Sequence, residues 1–501
     1  MKEETMPRGP VTRRTFLGRT VATAGVLAAS GLERVMGQPQ AGGDPDDRQR
    51  IERAIPAAAP AAPLRPRKLL IFDLNVNYGG HASIPTANTA FTLMGKKTGA
   101  FETVVSRDPA VFEPASLRQF DAVFFNNTVG NCFEDPALRQ SLIEFVYSGG
   151  GLMGVHGTSV AFTKWPGAIE DWPEFGIMLG ARGANHKAND EHVFIKLDDP
   201  AHPVNRVFAG QDFDYRDEFF RVHEPYSRHR VRVLMSIDTA RTDMQQQPSY
   251  GAVVRADDDY ALAWVRQYGR GRVFYCTIAH HPSVFWDPRM LRFYLAATQF
   301  ALGDLPAPTT PSAKLTPAIR AQERLGWRLA LVPPASRERA NDDSPLHLFE
   351  LIDRAAEHGL LYVGGSSRQK ISRDIPKTLH DRLTAEETEQ IRLKLDAASV
   401  RLLTYHLDAM PSDSAGQLKI VEFAQKMGIE AVVAPGTRIA PEGRLPQIVV
   451  LDKPTRVRGI DSLLDETRRQ EQGPVVFCVE SDDDELEQTI ETFNKAVAKP
   501  T

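Results

Sequence analysis

The amino-acid sequence predicts an α/β protein built from two successive series of strands and helices. In the N-terminal half, short apolar runs such as residues 68–72 and 121–125 alternate with helical segments, which is typical of a parallel, layered sheet. A second series of shorter βα units begins after a proline-rich segment at residues 305–311. The length of 501 residues suggests about three structural units.

The N-terminus has the features of an export signal. Arg13 and Arg14 form a twin-arginine pair, and a short, weakly apolar stretch follows at residues 21–29. This stretch is too short to span a bilayer as a mature helix, so residues 1–42 are predicted to be a twin-arginine signal peptide that is removed. We therefore expect a periplasmic or extracellular protein that has no membrane span after removal of the signal.

Two linkers divide the remaining chain. Residues 43–66 are rich in alanine and proline and are predicted to form an extended linker before a first domain at residues 67–305. A second linker at residues 306–323 leads to a second domain at residues 324–498. This second domain has about five βα units, whereas a complete eight-unit barrel needs ~250 residues. It is therefore predicted to be a partial TIM-barrel-like βα domain.

Charge and cysteine content exclude several classes of protein. The net charge is −4 and no basic block lies outside the extreme N-terminus, so nucleic acid is not an expected partner. The three cysteines are far apart and odd in number, which predicts neither a disulfide framework nor a CxxC zinc site. No glycine-rich phosphate motif follows the first strand, and we expect no nucleotide cofactor.

The turn after residues 151–155 is the most informative stretch of the sequence. It places His156, flanked by Gly154 and Gly157, at the carboxyl end of a predicted strand, where α/β sheets bind ligands. A nucleophile elbow carries Ser or Cys at this position, so the turn predicts a site without an acyl-transfer nucleophile. The alternative is a histidine that only caps loop carbonyls.

Histidines and carboxylates are concentrated in the first predicted domain, and both are suitable ligands for zinc or a similar divalent ion. The spacing matches no compact motif such as HExxH, so a metal site would be assembled from distant loops. Asp217 and Glu218 are candidates for general acid–base catalysis, and the alternative is a solvated acidic turn. The histidines of this domain are His81, His156, His186, His192, His202, His223, His229, His280 and His281.

Loops at strand ends also supply candidate substrate-binding residues. The adjacent His280 and His281 follow a predicted strand and are hard to explain by packing, although a simple surface loop is the alternative. The flat faces of Trp165 and Trp286 suit the apolar faces of carbohydrate rings, and core packing is the alternative for each. The predicted substrate-binding residues are Asn77, His81, Trp165, His281 and Trp286.

With these residues, the first domain resembles the ThuA-like, trehalose-utilisation family, which is related to class I glutamine amidotransferases. The resemblance depends on residues 149–158 (GGGLMGVHGT), 217–220 (DEFF) and 268–282 (YGRGRVFYCTIAHHP). It implies a flavodoxin-like three-layer α/β/α sandwich and a role in carbohydrate metabolism. The site that it implies consists of His156, His186, Glu218 and His280.

The relationship to amidotransferases does not extend to their chemistry. That superfamily uses Gly-x-Cys-x-Gly and a later His-Pro-Glu. Here the turn contains His156, and the later loop reads His281-Pro282-Ser283. Because the cysteine and the acid are both replaced, we do not expect glutamine hydrolysis by a cysteine triad.

The second domain resembles the xylose-isomerase-like sugar isomerase/epimerase barrels, on the basis of residues 348–363 and 421–434. Those barrels typically bind a divalent metal through Glu, Asp and His at strand ends. In this chain the second strand ends at Gly364 and Gly365, where the family often has Glu. We therefore expect a truncated barrel that serves binding or structure.

Together these patterns predict an exported carbohydrate-active protein acting on a sugar or an oxidised (keto) sugar glycoside, as a hydrolase, isomerase or lyase. The alternative is a non-catalytic carbohydrate-binding or scaffolding module at the cell surface. The catalytic candidates are His156, Asp217, Glu218 and His280. The candidate ligands of a divalent metal, with zinc preferred, are His156, His186, Glu218 and His280.

Overall fold

The structure is a computed structural model that describes residues 45–167, 169–245, 254–333, 346–442, 445–451, 459–470, 473–480 and 485–499. The predicted twin-arginine signal peptide, residues 1–42, lies outside these described residues. Within the described ranges, no helix has both the length and the apolar character needed to cross a membrane.

The described chain forms a mixed α/β structure with one large sheet of nine strands, in which parallel and antiparallel pairs both occur, and one curled, half-barrel sheet of seven strands. This arrangement confirms the predicted fold class. The strands up to residue 276 are β1 (Lys68–Phe72), β2 (Glu102–Ser106), β3 (Ala122–Asn126), β4 (Gly151–Val155), β5 (Arg182–His186), β6 (Glu191–Leu197), β7 (Phe213–Asp217), β8 (Phe220–His223), β9 (Arg232–Ile237), β10 (Ala261–Tyr268) and β11 (Gly271–Cys276). The helices of the same region and the one that closes it are α1 (Pro45–Ala54), α2 (Ser83–Thr98), α3 (Pro114–Leu117), α4 (Pro136–Tyr147), α5 (Pro173–Leu179) and α6 (Pro288–Leu302).

Both faces of the parallel strands are buried, which is why β1, β3 and β4 are nearly continuous apolar runs. Successive residues point to opposite faces, so Leu70 packs in one apolar cluster and Ile71 in another. Phe91 of α2 and Leu295 of α6 join the cluster of Ile71, whereas Leu142 of α4 joins that of Leu70. The sheet therefore lies between two helical layers.

The nine-stranded sheet has a parallel half and an antiparallel half. Its order is β2-β1-β3-β4-β11-β10-β9-β6-β7. The strands from β2 to β11 are parallel, and each later strand is antiparallel to its neighbour. Parallel neighbours need a crossover of about a dozen residues, but only Gly269 and Arg270 join β10 to β11. The sequence analysis does not predict this extension, because apolar strands look alike whichever way their neighbours run.

The predicted linker at residues 43–66 contains the helix α1 and is bound to the end of the first region. Gln299 of α6 accepts a hydrogen bond from the backbone N–H of Ala61 at 2.9 Å. Asp304 accepts one from the backbone N–H of Leu64 at 3.0 Å and forms an ion pair with Arg67 at 2.7 Å. These bonds hold the segment that precedes β1 against α6.

The second sheet has the order β16-β15-β14-β13-β12-β18-β17, and all neighbouring pairs are parallel except β15 and β16. Its strands are β12 (Trp327–Val332), β13 (Tyr362–Ser366), β14 (Arg401–His406), β15 (Ala431–Ala434), β16 (Thr437–Ile439), β17 (Gln447–Val450) and β18 (Val475–Glu480). The accompanying helices are α7 (Pro317–Leu325), α8 (Leu348–Glu357), α9 (Ala385–Ala398), α10 (Ser414–Lys426), α11 (Ile460–Arg469) and α12 (Leu486–Ala498).

A local sequence signal marks the start of α9 in the second sheet region. At the start of α9, Thr384 Oγ1 accepts a hydrogen bond from the backbone N–H of Glu387 at 3.2 Å. The Glu387 carboxylate accepts one from the backbone N–H of Thr384 at 2.9 Å. This is the capping box that Thr-x-x-Glu spacing predicts.

The two sheets meet at the edges where their parallel strands begin. Arg401, the first residue of β14, donates to the backbone oxygen of Gly269 at 3.0 Å and to Gln267 Oε1 at 2.9 Å, just before β11. Asp396 of α9 forms ion pairs with both Arg230 and Arg266. The carboxyl ends of the parallel strands therefore lie on the sides that face away from this contact.

We expect the double ion pair at Asp396 to contribute strongly to the contact between the two sheets. The Asp396 side chain is 5% exposed, so Asp396→Ala leaves two guanidinium groups without their partner. Loss of one member of a buried ion pair should lower the free energy of unfolding by about 3 kcal/mol, measured by denaturant titration. The matched control is Asp353→Ala, because Asp353 pairs with Lys394 at the surface and should cost under ~1 kcal/mol. An equal effect of the two substitutions contradicts this prediction.

Candidate metal centre

Four loops bring four side chains together at one edge of the first sheet. His81 lies between β1 and α2, His156 follows β4, Glu218 lies between β7 and β8, and His280 follows β11. One ligand atom from each residue lies within 4.8 Å of all the others, and we call these four residues the ligand group. Within the described ranges, this is the one set of three or more His, Cys, Asp or Glu residues close enough to hold a metal ion.

Strand direction explains why such distant residues meet. The strands β1, β4 and β11 are parallel, so their carboxyl ends share one edge. Between β11 and β7 the direction reverses four times, so β7 again runs with β11. The end of β7 at Asp217 therefore lies at the same edge as Val155 and Cys276, the last residues of β4 and β11.

The turn after β4 holds His156 in a strained and fully buried position. Its backbone has a φ of 43°, in the left-handed region, and the residue is 0% exposed. Its Nδ1 lies 2.9 Å from the backbone oxygen of Thr277, and Tyr275 donates from its hydroxyl to the His156 carbonyl at 2.8 Å. A carbonyl oxygen can only accept, so Nδ1 carries the proton. In the neutral ring, Nε2 therefore presents its lone pair to the group.

The Glu218 carboxylate is the centre of the contacts. Its Oε1 lies 3.1 Å from His156 Nε2, 3.4 Å from His280 Nδ1 and 3.5 Å from His186 Nε2. Burial by itself opposes ionisation, but the close imidazole rings of His156 and His280 outweigh it and hold the pKa of Glu218 well below its usual range. The carboxylate is therefore charged near neutral pH.

His81 is kept neutral by its surroundings. Burial, followed by repulsion from His156 and His280, lowers the pKa of His81 to about 2. Among the described residues, its buried Nδ1 has no hydrogen-bond partner, which is unusual for a buried polar atom. A Cβ at Gly157 would lie 3.0 Å from His81 Cε1, so the glycine after His156 makes room for this ring.

The ligand group fits a divalent ion. The distances between Glu218 Oε1, His156 Nε2 and His280 Nδ1 are 3.1, 3.3 and 3.4 Å. Ligand atoms at zinc–ligand distances of ~2.05 Å in a tetrahedron are separated by about 3.3 Å, which matches this triangle. Imidazole nitrogen and carboxylate oxygen are also the donors that zinc takes in proteins. His81 is within reach of the fourth corner.

The predicted ligand set and the ligand group differ in one member. His156, Glu218 and His280 are in both, whereas the structure places His81 in the group and His186 beside it. His186 still contacts Glu218, at 3.5 Å between Nε2 and Oε1. From the sequence, His81 was predicted to bind substrate and was not among the predicted metal ligands.

The adjacent carboxylates Asp217 and Glu218 have different surroundings. Asp217 is 0% exposed, and its two oxygens accept the backbone N–H groups of His280 at 3.0 Å and His281 at 2.9 Å. Burial raises the pKa of Asp217, and the two amide donors oppose that shift. The alternative of a solvated acidic turn is excluded by this burial. Asp217 fixes the loop that presents His280, and both of its oxygens are occupied in doing so.

The predicted substrate-binding residues are spread around the group. Asn77 is exposed in the loop before His81, and Trp165 is half-buried against Val129, Val160 and Phe220. These two residues lie on loops at the edge that holds the ligand group.

His281 and Trp286 both belong to the chain segment that follows β11. The ring of His281 contacts that of His280 and points its Nε2 toward Asp190, 3.8 Å away. Trp286 packs against the core, with Arg50 of α1 over its ring at 5.2 Å. The described contacts of Trp286 are therefore with the N-terminal helix and the core.

One supporting residue was missed by the sequence analysis. Asn127 is fully buried with a φ of 54°, its Oδ1 accepts the backbone N–H of Gly157 at 3.0 Å, and its Nδ2 donates to the Ala279 carbonyl at 3.1 Å. It thus links the turn of His156 to the loop of His280. The available signal was the polar pair of Asn126, the last residue of the buried strand β3, and Asn127 directly after it.

Comparisons with known proteins agree with the first domain. Residues 68–301, slightly under half of the chain, match the ThuA family, described as trehalose utilisation. This match confirms the predicted resemblance over that range, and the resemblance of the second domain to xylose-isomerase-like barrels stays a prediction. No curated protein matches the chain.

Several solved structures are similar at low identity. A putative ThuA-like protein from Bacteroides uniformis is 19% identical with a TM-score of 0.39, and the match covers 48% of this chain and 92% of that one. A putative ThuA-like protein from Parabacteroides merdae is 17% identical with a TM-score of 0.34 and the same coverage of 48% and 92%. A beta-galactosidase from Bacillus circulans sp. alkalophilus is 13% identical with a TM-score of 0.30, covering 52% of this chain and 34% of that one. Similarity at this level assigns no activity.

We expect Asp217→Asn to weaken zinc binding although all four ligand residues remain. The amide group would put an N–H donor against one of the backbone N–H groups that Asp217 accepts, and the loop at His280 would shift. Removal of such a supporting hydrogen bond typically costs about 10- to 100-fold in metal affinity, measurable by competition with a chromogenic chelator. The control is Asp214→Asn on the same strand, where the carboxylate is exposed and pairs with His192. Unchanged affinity in Asp217→Asn would show that the loop is held by other contacts.

Proposed function

We propose that this protein is an exported, metal-dependent carbohydrate-active enzyme that acts on a sugar or an oxidised (keto) sugar glycoside. The observation that supports it best is the ligand group, with its four ligand atoms within 4.8 Å of one another at the carboxyl edge of the sheet. The match of residues 68–301 to a family described as trehalose utilisation supports the carbohydrate class. The reaction would be a hydrolysis, isomerisation or elimination. Export is supported by the twin-arginine pair Arg13 and Arg14.

The side chains at this site fall into two groups, those that would bind the ion and those that hold the ligand residues in position. His156, Glu218 and His280 would hold a zinc or similar divalent ion, with His81 as the fourth ligand. Such an ion, when bound, polarises a carbonyl or hydroxyl oxygen of the substrate. The hydrogen bond from His156 Nδ1 to Thr277 orients one ligand, and Asp217 fixes the loop of another.

His186 is the residue positioned for proton transfer. Its Nε2 lies 3.5 Å from Glu218 Oε1, although His186 is not a member of the ligand group. Because its side chain is 17% exposed, the residue contacts both the ligand group and solvent. An imidazole in this position can accept or deliver a proton at the reacting atom. Asp217 is less suited to this role, because both of its oxygens accept backbone N–H groups.

Zinc content provides the direct test. We expect about one zinc per wild-type chain by elemental analysis after zinc loading and desalting, and loss of that zinc in His156→Ala and Glu218→Gln, since each removes a ligand. The control is His192→Ala, because His192 is partly exposed and pairs only with Asp214 among the described contacts of its ring nitrogens. Circular dichroism checks that each variant is folded.

Activity is tested with a panel of disaccharides, including trehalose, and their keto derivatives, with and without chelator. We expect turnover of at least one panel member that is lost with the zinc and restored by adding it back. A protein that lacks zinc and still binds glycans without converting them would contradict the proposal. That result would favour the alternative of a non-catalytic carbohydrate-binding module.

A further inference from the structure

Two aromatic side chains stand beside the ligand group. Tyr78 lies in the loop between β1 and α2, three residues before His81, and is 36% exposed. Its ring centroid is 5.1 Å from that of His81 and 5.5 Å from that of Trp165. The planes of Tyr78 and Trp165 make an angle of 70°, so the two rings form a corner next to a member of the ligand group.

A small apolar cluster packs against one of the two rings of this corner, and both rings remain partly accessible to solvent. Trp165 packs against the small apolar cluster of Val129, Val160 and Phe220 and remains half-buried. Tyr78 and Trp165 thus keep apolar ring surface accessible at the side of His81.

Accessible aromatic rings beside polar groups suit a ligand with one apolar and one polar side. A pyranose ring has this character, because its C–H groups form an apolar face and its hydroxyl groups point outward. The exposed amide of Asn77, next to Tyr78, adds a donor and an acceptor at the same loop. An open-chain polyol has the same hydroxyl groups and no flat face.

We propose that Tyr78 and Trp165 form a stacking platform for a pyranose ring of the substrate, and that this platform makes the site select cyclic sugars over open-chain polyols. The inference rests on the proposed function, since it names the part of the substrate that lies beside the ligand group. Tyr78 belongs to the same loop as His81, so its ring stands next to a member of the ligand group.

The experiment measures sugar binding by calorimetry with the zinc-loaded full chain. The probes are the disaccharide panel of trehalose, cellobiose, lactose and their keto derivatives, with sorbitol as the open-chain comparison. For the disaccharide that wild type binds, we expect Tyr78→Ala and Trp165→Ala each to raise the dissociation constant by about 2- to 10-fold. This is the change in affinity that loss of one aromatic contact typically produces. Tyr78→Phe, the matched control, keeps the ring face and should bind within about 2-fold of wild type. Sorbitol should bind weakly to all variants alike.

The outcomes separate this inference from the proposed function. If wild type binds no panel member, the proposed function fails and the platform fails with it. If wild type binds a panel member and both alanine variants bind it equally well, only the platform is overturned. Zinc content is measured on every variant. If Tyr78→Ala loses zinc, Tyr78 acts by holding the His81 loop, which also overturns the platform.

Discussion

The hydrogen bond between His156 Nδ1 and the Thr277 carbonyl is the contact on which the rest of the site depends. It joins the turn after β4 to the end of β11 at 2.9 Å and, because a carbonyl can only accept, it places the proton on Nδ1. The lone pair of Nε2 is thereby directed at Glu218, 3.1 Å away. A carboxylate and a lone pair that face each other in a buried site repel unless a cation or a proton lies between them. This is the physical reason to expect a metal here.

The surrounding residues make this arrangement rigid by binding backbone groups. Asp217 accepts two consecutive amides of the His280 loop, and Asn127 links that loop to Gly157 beside His156. Two adjacent carboxylates therefore have different roles, since each oxygen of Asp217 accepts a backbone N–H group and Glu218 faces the imidazoles. Preorganisation of this kind keeps ligands in place without the cost of ordering them when the ion or substrate arrives.

The second sheet is attached at the opposite end of the first sheet from the ligand group. Its contacts involve residues before β11 and at the start of β14, such as Gly269 and Arg401. Within the described ranges it has no group of metal-binding side chains like that of the first sheet. His406, the last residue of β14, contacts Thr404 through its ring, with 2.9 Å between Nε2 and Oγ1.

The sequence by itself determined the elements whose signals are local. The strand Gly151–Val155, the helix Pro136–Tyr147 and the capping box at Thr384 follow from apolar pattern and side-chain chemistry within a few residues. It also marked His156, Glu218 and His280 individually, through strand ends and family resemblance. The family resemblance also implied that these residues form one site, but only the tertiary structure decided how closely they lie, that His81 joins them and that Asp217 accepts backbone N–H groups. Those facts depend on strand direction and on contacts between residues that are far apart in sequence, such as Asn127 and Ala279, which no local pattern encodes.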